Sequence, residues 1–285
     1  MTTLRTLINQ ILETASPPFY FIDLHTTSGE TEPFIVMNDS LLNRRFTKKF
    51  PLPSILGIEE YLTGALLSYI NEMGYVAFGF ESGQHEDAKA ITNAECFIWY
   101  TLGLTGFYPM NEKVLQVAKR KLSESHTPKR FFEIYHQHLI APGETFIMEP
   151  GFVNFQIVPK GRKIAVYRNV PIVTQKNRQL FMPLYQNKGY EGFYFIRSVP
   201  HFFLWLSKYL RKVRADGLLV WLPGVKWASG KKDALYVDQR IARFFAKSLF
   251  HLLGYRASTM DESHLVLKSR DRNSKRSDYK GAPWY

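Results

Sequence analysis

The sequence predicts an α/β fold that opens with a mostly parallel sheet flanked by helices. Two continuous apolar runs, Phe19-Tyr20-Phe21-Ile22 and Gly74 to Phe80, read as strands buried on both faces. Apolar residues at helical spacing lie between and after them, giving the strand, helix, strand, helix rhythm of a parallel sheet. From Phe131 to Arg197 the texture changes to glycine, proline and alternating apolar residues, as in Gly151 to Val158, which predicts mostly antiparallel strands.

Each element follows from its own pattern. Met1 to Leu12 has a mildly amphipathic helical pattern with one arginine, and lacks the apolar core and cleavage site of a signal peptide. Phe19 to Gly29 is the first strand and its polar exit. Ile58 to Met73 reads as a helix, because Ile58, Leu62, Ala65, Leu66, Tyr69 and Ile70 share a face and Gly74 stands at the stop position. Thr92 and Glu95 form a capping-box pattern that opens a helix through Leu104. Asn111 to Ser123 is a further helix. After Pro200, helices return at Phe202 to Val213 and at Val237 to Leu253, and Ser263 to Lys268 reads as a strand. Lys268 to Lys280 is a dense basic run in a Ser/Asp/Asn-rich setting, expected to be solvated. Trp205, Trp221 and Trp227 read as core or interdomain packing. No internal repeat is present.

Composition narrows the function classes. The chain has 285 residues, 45% of them apolar and 15% aromatic, so it folds around a core. Cys96 is the only cysteine, which leaves no internal disulfide and no cysteine cluster for metal. No apolar stretch spans a membrane, and a soluble cytoplasmic protein is the expectation. The charge is uneven. Residues 1–100 carry 6 Lys+Arg against 12 Asp+Glu, and residues 101–285 carry 31 against 13. That asymmetry invites a nucleic-acid reading. The basic residues are scattered, however, and no helix-turn-helix, zinc-finger or RNA-binding signature accompanies them. A basic surface equally attracts a small anionic substrate.

The two apolar runs end in chemistry-bearing residues. The first closes in Asp23-Leu24-His25-Thr26-Thr27 and the second in Glu81-Ser82-Gly83-Gln84-His85. Asp23 and His25, two apart on a strand, point to the same side. A carboxylate that orients a histidine is common behind a zinc ligand. Ligands bind beyond the carboxyl ends of strands in open α/β sheets. A metal-assisted hydrolase needs a zinc ligand and a carboxylate that takes a proton from water. A core strand followed by a polar turn is the other reading of the same segment, and one His with one Glu is not a three-ligand site.

These residues carry a resemblance. Asp23-Leu24-His25-Thr26-Thr27, Gly57-Ile58-Glu59-Glu60-Tyr61-Leu62, Glu81-Ser82-Gly83-Gln84-His85, Pro150-Gly151-Phe152 and Met182-Pro183-Leu184-Tyr185-Gln186 together resemble the succinylglutamate desuccinylase/aspartoacylase family. Its members are zinc-dependent amidohydrolases with a zinc carboxypeptidase-like fold. The resemblance covers roughly residues 15 to 200. It implies Zn²⁺ as cofactor, His25 as a metal ligand, Glu81 as the catalytic base, Asp23 as the partner of His25, and a small anionic N-acyl amino acid as substrate. Thr26, Thr27, His85, Tyr185 and Tyr190 are the candidate substrate contacts. His85 equally reads as a loop residue bonding the backbone, and both tyrosines equally read as packing aromatics. The implied organisation is an α/β catalytic-type part over 1–128, a β-rich part over 129–199, a helical extension over 200–268 and a basic tail over 269–285. A homo-oligomer is compatible with it.

The sequence also departs from the family pattern. The H-x-x-E motif that supplies two further zinc ligands is absent, since no histidine precedes His25. The first one or two strands of the sheet are expected to be missing with it. Three explanations stand: a truncated gene or mis-called start, a fragment completed by another polypeptide, or a non-catalytic remnant acting as a binding protein. Asn43-Arg44 lies after Asp23-Leu24-His25, the wrong side for the family's carboxylate-binding pair, and reads as a surface-loop coincidence. His136 and His138 share a strand face that could bind metal or simply lie partly exposed. Glu59 and Glu60 suit the first turn of a helix.

Overall fold

The computed structural model describes residues 2–61, 65–238, 240, 247–259 and 264–285. Its centre is an eight-stranded sheet in the order β1-β4-β2-β3-β5-β11-β10-β7. The first five positions are held by β1 (Tyr20–Thr27), β4 (Val76–Gln84), β2 (Phe34–Met37), β3 (Ser54–Leu56) and β5 (Phe131–Leu139). Three of their four pairings are parallel, and only β4 with β2 is antiparallel. The expected mostly parallel sheet with helices is therefore present. The remaining strands β11 (Glu191–Ser198), β10 (Arg178–Phe181) and β7 (Ile157–Val158) continue it antiparallel. The segment predicted to be β-rich thus extends the same sheet, and it also carries a three-stranded sheet of β6 (Phe146–Met148), β8 (Lys163–Tyr167) and β9 (Val170–Val173). Among the described residues β1 is an edge strand.

Helices cover the sheet. α1 (Thr2–Thr14) buries Ile8 against Ile70 and Ala77. α2 (Leu41–Thr47) is capped by Ser40, whose Oγ accepts from the Asn43 amide at 3.1 Å. α3 (Leu66–Glu72), α4 (Ala88–Thr105) and α5 (Glu112–Leu122) follow. The helix expected over Ile58 to Met73 is two pieces, a 3-10 turn at Ile58–Glu60 and α3, because Ala65 is extended and restarts the helix; Leu62 lies outside the described residues. The Thr92–Glu95 capping box is also corrected. α4 starts earlier, with Asp87 accepting from the Lys89 amide at 2.9 Å, so Thr92 already lies inside the helix. Its Phe97 ring stacks on Phe80 of β4 at 3.9 Å, which fixes the helix over the strand.

The C-terminal third is a layer of its own. It holds α6 (His201–Lys212), a 3-10 turn at Ala215–Trp221, α7 (Lys247–Leu252) and a four-stranded sheet. That sheet runs β12 (Val225–Trp227), β13 (Ala234–Asp238), β15 (His264–Ser269) and β14 (Tyr255–Thr259), all antiparallel. Val237, expected to open a helix, sits instead in β13 and pairs with both Val225 and Leu265; residues 241–246 of that expected helix lie outside the described residues. Trp205 and Trp221, expected in the core, are 60% and 82% exposed, because they stand on the outward sides of α6 and of the 3-10 turn.

The basic run near the end is not a solvated tail. Tyr279 is fully buried, and Trp284 is 2% exposed. Both join the main core with Phe46, Phe50, Phe78, Phe80 and Phe97. Trp284 lies 4.7 Å from the Phe46 ring and donates its indole N–H to Tyr20 Oη at 2.7 Å. Tyr279 donates to the Phe19 carbonyl at 2.5 Å and accepts from the Val76 amide at 3.0 Å, so the end of the chain clamps the starts of β1 and β4. Trp284→Ala is expected to cost about 3–5 kcal/mol, the range for emptying an aromatic core position. Urea unfolding checks it, and a loss within about 1 kcal/mol of zero would show that the segment is dispensable to the core.

Candidate functional site

The two strand ends meet. β1 and β4 run parallel in a register that sets Asp23 beside Gly79 and His25 beside Glu81. Paired residues of neighbouring strands project to the same face. Asp23, His25 and Glu81 therefore share one face, and Gly79 places no side chain among them. A Cβ at Gly79 would lie 2.7 Å from Val36 Cγ2 on the neighbouring strand, so a side chain there would force Val36 to shift. His25 Nε2 lies 3.0 Å from Asp23 Oδ2, and both side chains are about half exposed. Asp23 and His25, expected on the same side of the strand, are thus in contact.

Glu81 is different. It is 7% exposed, and its Oε2 is buried with no hydrogen-bond partner. Burial pushes its carboxyl up to about 7, against the pull of His25 and with the push of Asp23. The carboxyl is thereby poised to hold or release a proton near neutrality. Gly83, two residues on, has φ +149 and lies against α4, with a Cβ there only 3.1 Å from Ala90 Cβ. That is why a glycine follows Glu81-Ser82 where the strand passes under the helix.

A cleft of about 830 Å³ opens beside the same strand ends, bordered by His25, Thr26, Ser82, His85, Glu86 and Glu95. Thr26 and Ser82 alternate with His25 and Glu81, so they project to the opposite, α4-covered face. Only His25 of the trio borders the cleft. Thr26 Oγ1 lies 2.7 Å from His85 Nδ1, and His85 Nε2 lies 3.3 Å from Gln186 Oε1. His85 thus borders the cleft, and its backbone N–H also donates to the Thr27 carbonyl at 3.0 Å. Thr27 is buried and donates to the Gly29 carbonyl at 2.7 Å. Tyr185 Oη donates to the Glu149 carbonyl at 2.8 Å and accepts from the Phe152 amide at 2.9 Å. Tyr190 is 60% exposed and does not border the cleft.

Three participants escaped the sequence reading. Ser82 donates to the His25 carbonyl at 3.1 Å, Asn93 donates to the Ser82 carbonyl at 2.8 Å, and Gln186 reaches His85. Ser82 and Gln186 lie inside the quoted motifs, but only the fold shows what they touch. His136 and His138 do share a face of β5, yet they stack on Phe195 and Phe193 at 5.4 and 5.1 Å. Burial lowers both imidazoles, which favours their packing as aromatic rings. Asn43 and Arg44 are buried in α2, not on a surface loop. Asn43 bridges Asn71 and the backbone of Ala77, and Arg44 pairs with Asp39.

Among the described residues no group of three or more His, Cys, Asp and Glu side chains could hold a metal ion. The donor set at this point, one imidazole with two carboxylates divided between exposed and buried positions, does not by itself fit a zinc centre. No described helix is long and apolar enough to cross a membrane.

No family model and no curated protein matches this sequence. Solved structures do. The chain is similar to succinylglutamate desuccinylase from Vibrio parahaemolyticus at 14% identity, over 70% of this chain and 60% of that one, with a TM-score of 0.42. The enzyme from Vibrio cholerae gives 13% identity, 70% and 59% coverage and a TM-score of 0.45. A succinylglutamate desuccinylase/aspartoacylase from Rhodobacter sphaeroides gives 14%, 67% and 60%, and 0.40. The structural neighbours of this chain are proteins of the succinylglutamate desuccinylase/aspartoacylase family, and it spans about 60% of their length.

Proposed function

We propose that this chain carries the general-base part of a hydrolytic centre that cleaves the amide bond of an N-acyl amino acid or a similar small anionic molecule. The observation that supports the reading is the register of β1 and β4, which sets the buried, unpartnered Glu81 carboxylate beside the Asp23–His25 pair. In this reading Glu81 takes a proton from the water that attacks the amide carbonyl and returns it to the departing amine. Asp23 fixes the imidazole of His25. Thr26 and His85 border the neighbouring cleft, which His25 also lines. No step is routed through zinc, because the described residues do not complete a zinc site.

The test is a pair of measurements on the purified chain. Metal content is read by mass spectrometry, and free amine release is followed with N-acyl amino acids including N-succinylglutamate, with and without added Zn²⁺. Release that disappears in Glu81→Gln supports the proposal. Absence of release under every condition sinks it.

A second reading is a non-catalytic binding protein. It is favoured by the lack of a three-ligand group among the described residues. Saturable binding of the same N-acyl amino acids without turnover would establish it in place of the first.

A further inference from the structure

The strongest unassigned feature is a second cavity, separate from the cleft at the strand ends. It has a volume of about 680 Å³, between α2, α6 and the C-terminal segment. Its rim carries Arg45, Lys48, Lys49, Lys208, Lys212 and Arg276, with Arg44 beside them, and no Asp or Glu side chain is among the described residues that line it. Its floor is apolar, from Leu42, Phe131, Leu204 and Trp284, each less than a tenth exposed. It shares no lining residue with the cleft at His25.

Three of the arginines are spoken for. Arg44 pairs with Asp39, Arg276 reaches Asp271 at 3.4 Å, and Arg45 lies on the Tyr285 ring and donates to the main-chain oxygen of that residue. The four lysines have no carboxylate partner among the described residues. Lys48 is lowered by burial and then by the like charges of Lys208 and Arg44, and Lys129 beyond it by burial and then by Lys119 and Lys48. Like charges gathered in one cavity repel unless an anion stands between them. The nearby carboxylates Asp39 and Asp271 are already committed to arginines.

We infer that this cavity binds a phosphate ester, its phosphate held by Lys48, Lys49, Lys208 and Lys212 and its organic part resting on the Trp284–Phe131 floor. Clustered cations with directed N–H donors are the usual recognition of phosphate. The apolar floor distinguishes the site from a bare salt patch. The ester has two sources, a soluble phosphorylated metabolite or an anionic lipid headgroup. α6 bears on the second. Next to Lys208 and Lys212 it exposes Phe202, Trp205 and Tyr209, each more than half exposed, with Trp205 stacked on Tyr209 at 6.0 Å. Aromatic residues flanked by lysines suit the boundary between headgroups and acyl chains.

The experiment uses the full chain. Inorganic pyrophosphate is titrated calorimetrically at low and at physiological salt. Co-sedimentation is measured with vesicles of phosphatidylcholine alone and of equal parts phosphatidylcholine and phosphatidic acid. Binding of either anionic probe is expected, weaker at high salt. Lys48→Gln with Lys208→Gln is expected to weaken it about tenfold or more, while Lys160→Gln with Lys231→Gln, an equal charge loss elsewhere, is expected to change it less than about twofold. Coincident thermal melts confirm that both double variants are folded. Pyrophosphate binding alone assigns a soluble ester, and vesicle binding alone assigns a headgroup. Failure of both probes at low salt, or equal weakening by the two double variants, overturns the inference.

Discussion

Glu81→Gln is expected to lower the rate of amide hydrolysis by about 10²–10⁴-fold, the usual contribution of a positioned general base. The same substitution is expected to make the metal-free protein more stable at pH 8. The reason is linkage. In the folded protein the Glu81 carboxyl is raised to about 7 from an ordinary value of 4.5, chiefly by burial. Between those two values the folded state binds the proton that the unfolded state has released, so stability falls as pH rises. Glutamine removes that loss, which is worth about 3 kcal/mol at pH 8. Urea unfolding with a chelator present, at about pH 4 and pH 8, measures it. A glutamine variant that is slower and more stable identifies a carboxyl kept in place for its chemistry. A variant that is slower and less stable would identify a structural carboxyl, and the general-base role would fall.

Arg211→Met is expected to destabilise the fold by about 3–5 kcal/mol, the cost of breaking a buried ion pair on one side. The Arg211 side chain is 1% exposed. It donates to Asp39 Oδ2 at 2.8 Å, to the Asp39 carbonyl at 2.7 Å and to the His251 carbonyl at 2.9 Å, and it reaches Asp271 at 3.5 Å. One side chain thus ties the chain before α2 to α7 and to the C-terminal segment. Its neighbours extend the network, with Arg270 ion-paired to Glu59 at 2.7 Å and donating to Glu60 at 2.5 Å. Burial alone would raise the Asp39 carboxyl, but the Arg211 and Arg44 guanidiniums outweigh it and hold it far below the usual carboxylate range. The stability it contributes is complete above the ordinary carboxylate value and is lost as pH falls through and below it. Unfolding midpoints followed from neutral pH into acid should therefore drop steeply in the parent protein and less steeply in Arg211→Met. Parallel acid limbs would show that Asp39 is not the group being protonated.

The legible parts of this protein are those written in local pattern. β1 and β4 follow from unbroken apolar runs, and α5 from its spacing and its Asn111 cap, which accepts from the Lys113 amide at 2.9 Å. The pairing of His25 with Glu81 was foreshadowed, because both runs end in ionisable residues and neighbouring parallel strands end together. Other residues misled because their neighbours are remote in sequence. Asn43-Arg44 has polar, surface-like composition, yet Asn43 is fully buried because Asn71 and Ala77 complete its hydrogen bonds. Trp205 and Trp221 look like core residues by type alone, yet they are 60% and 82% exposed, and Trp205 stacks on Tyr209 of its own helix. The faces of the strands also divide what the motifs join, since Thr26 and Ser82 open onto one side of the sheet and His25 and Glu81 onto the other.

By itself the sequence determined the α/β class, the two strands and the residues at their ends, because alternation and apolar runs act over a few residues and need no partner. Tertiary structure alone decided that Tyr279 and Trp284 at the basic C-terminal end join the core, that Glu59, Glu60 and Asp39 are held by buried arginines, and that Glu81 is buried beside an exposed Asp23–His25 pair. Burial and charge compensation are properties of what surrounds a side chain, and those surroundings are assembled from segments up to 264 residues apart.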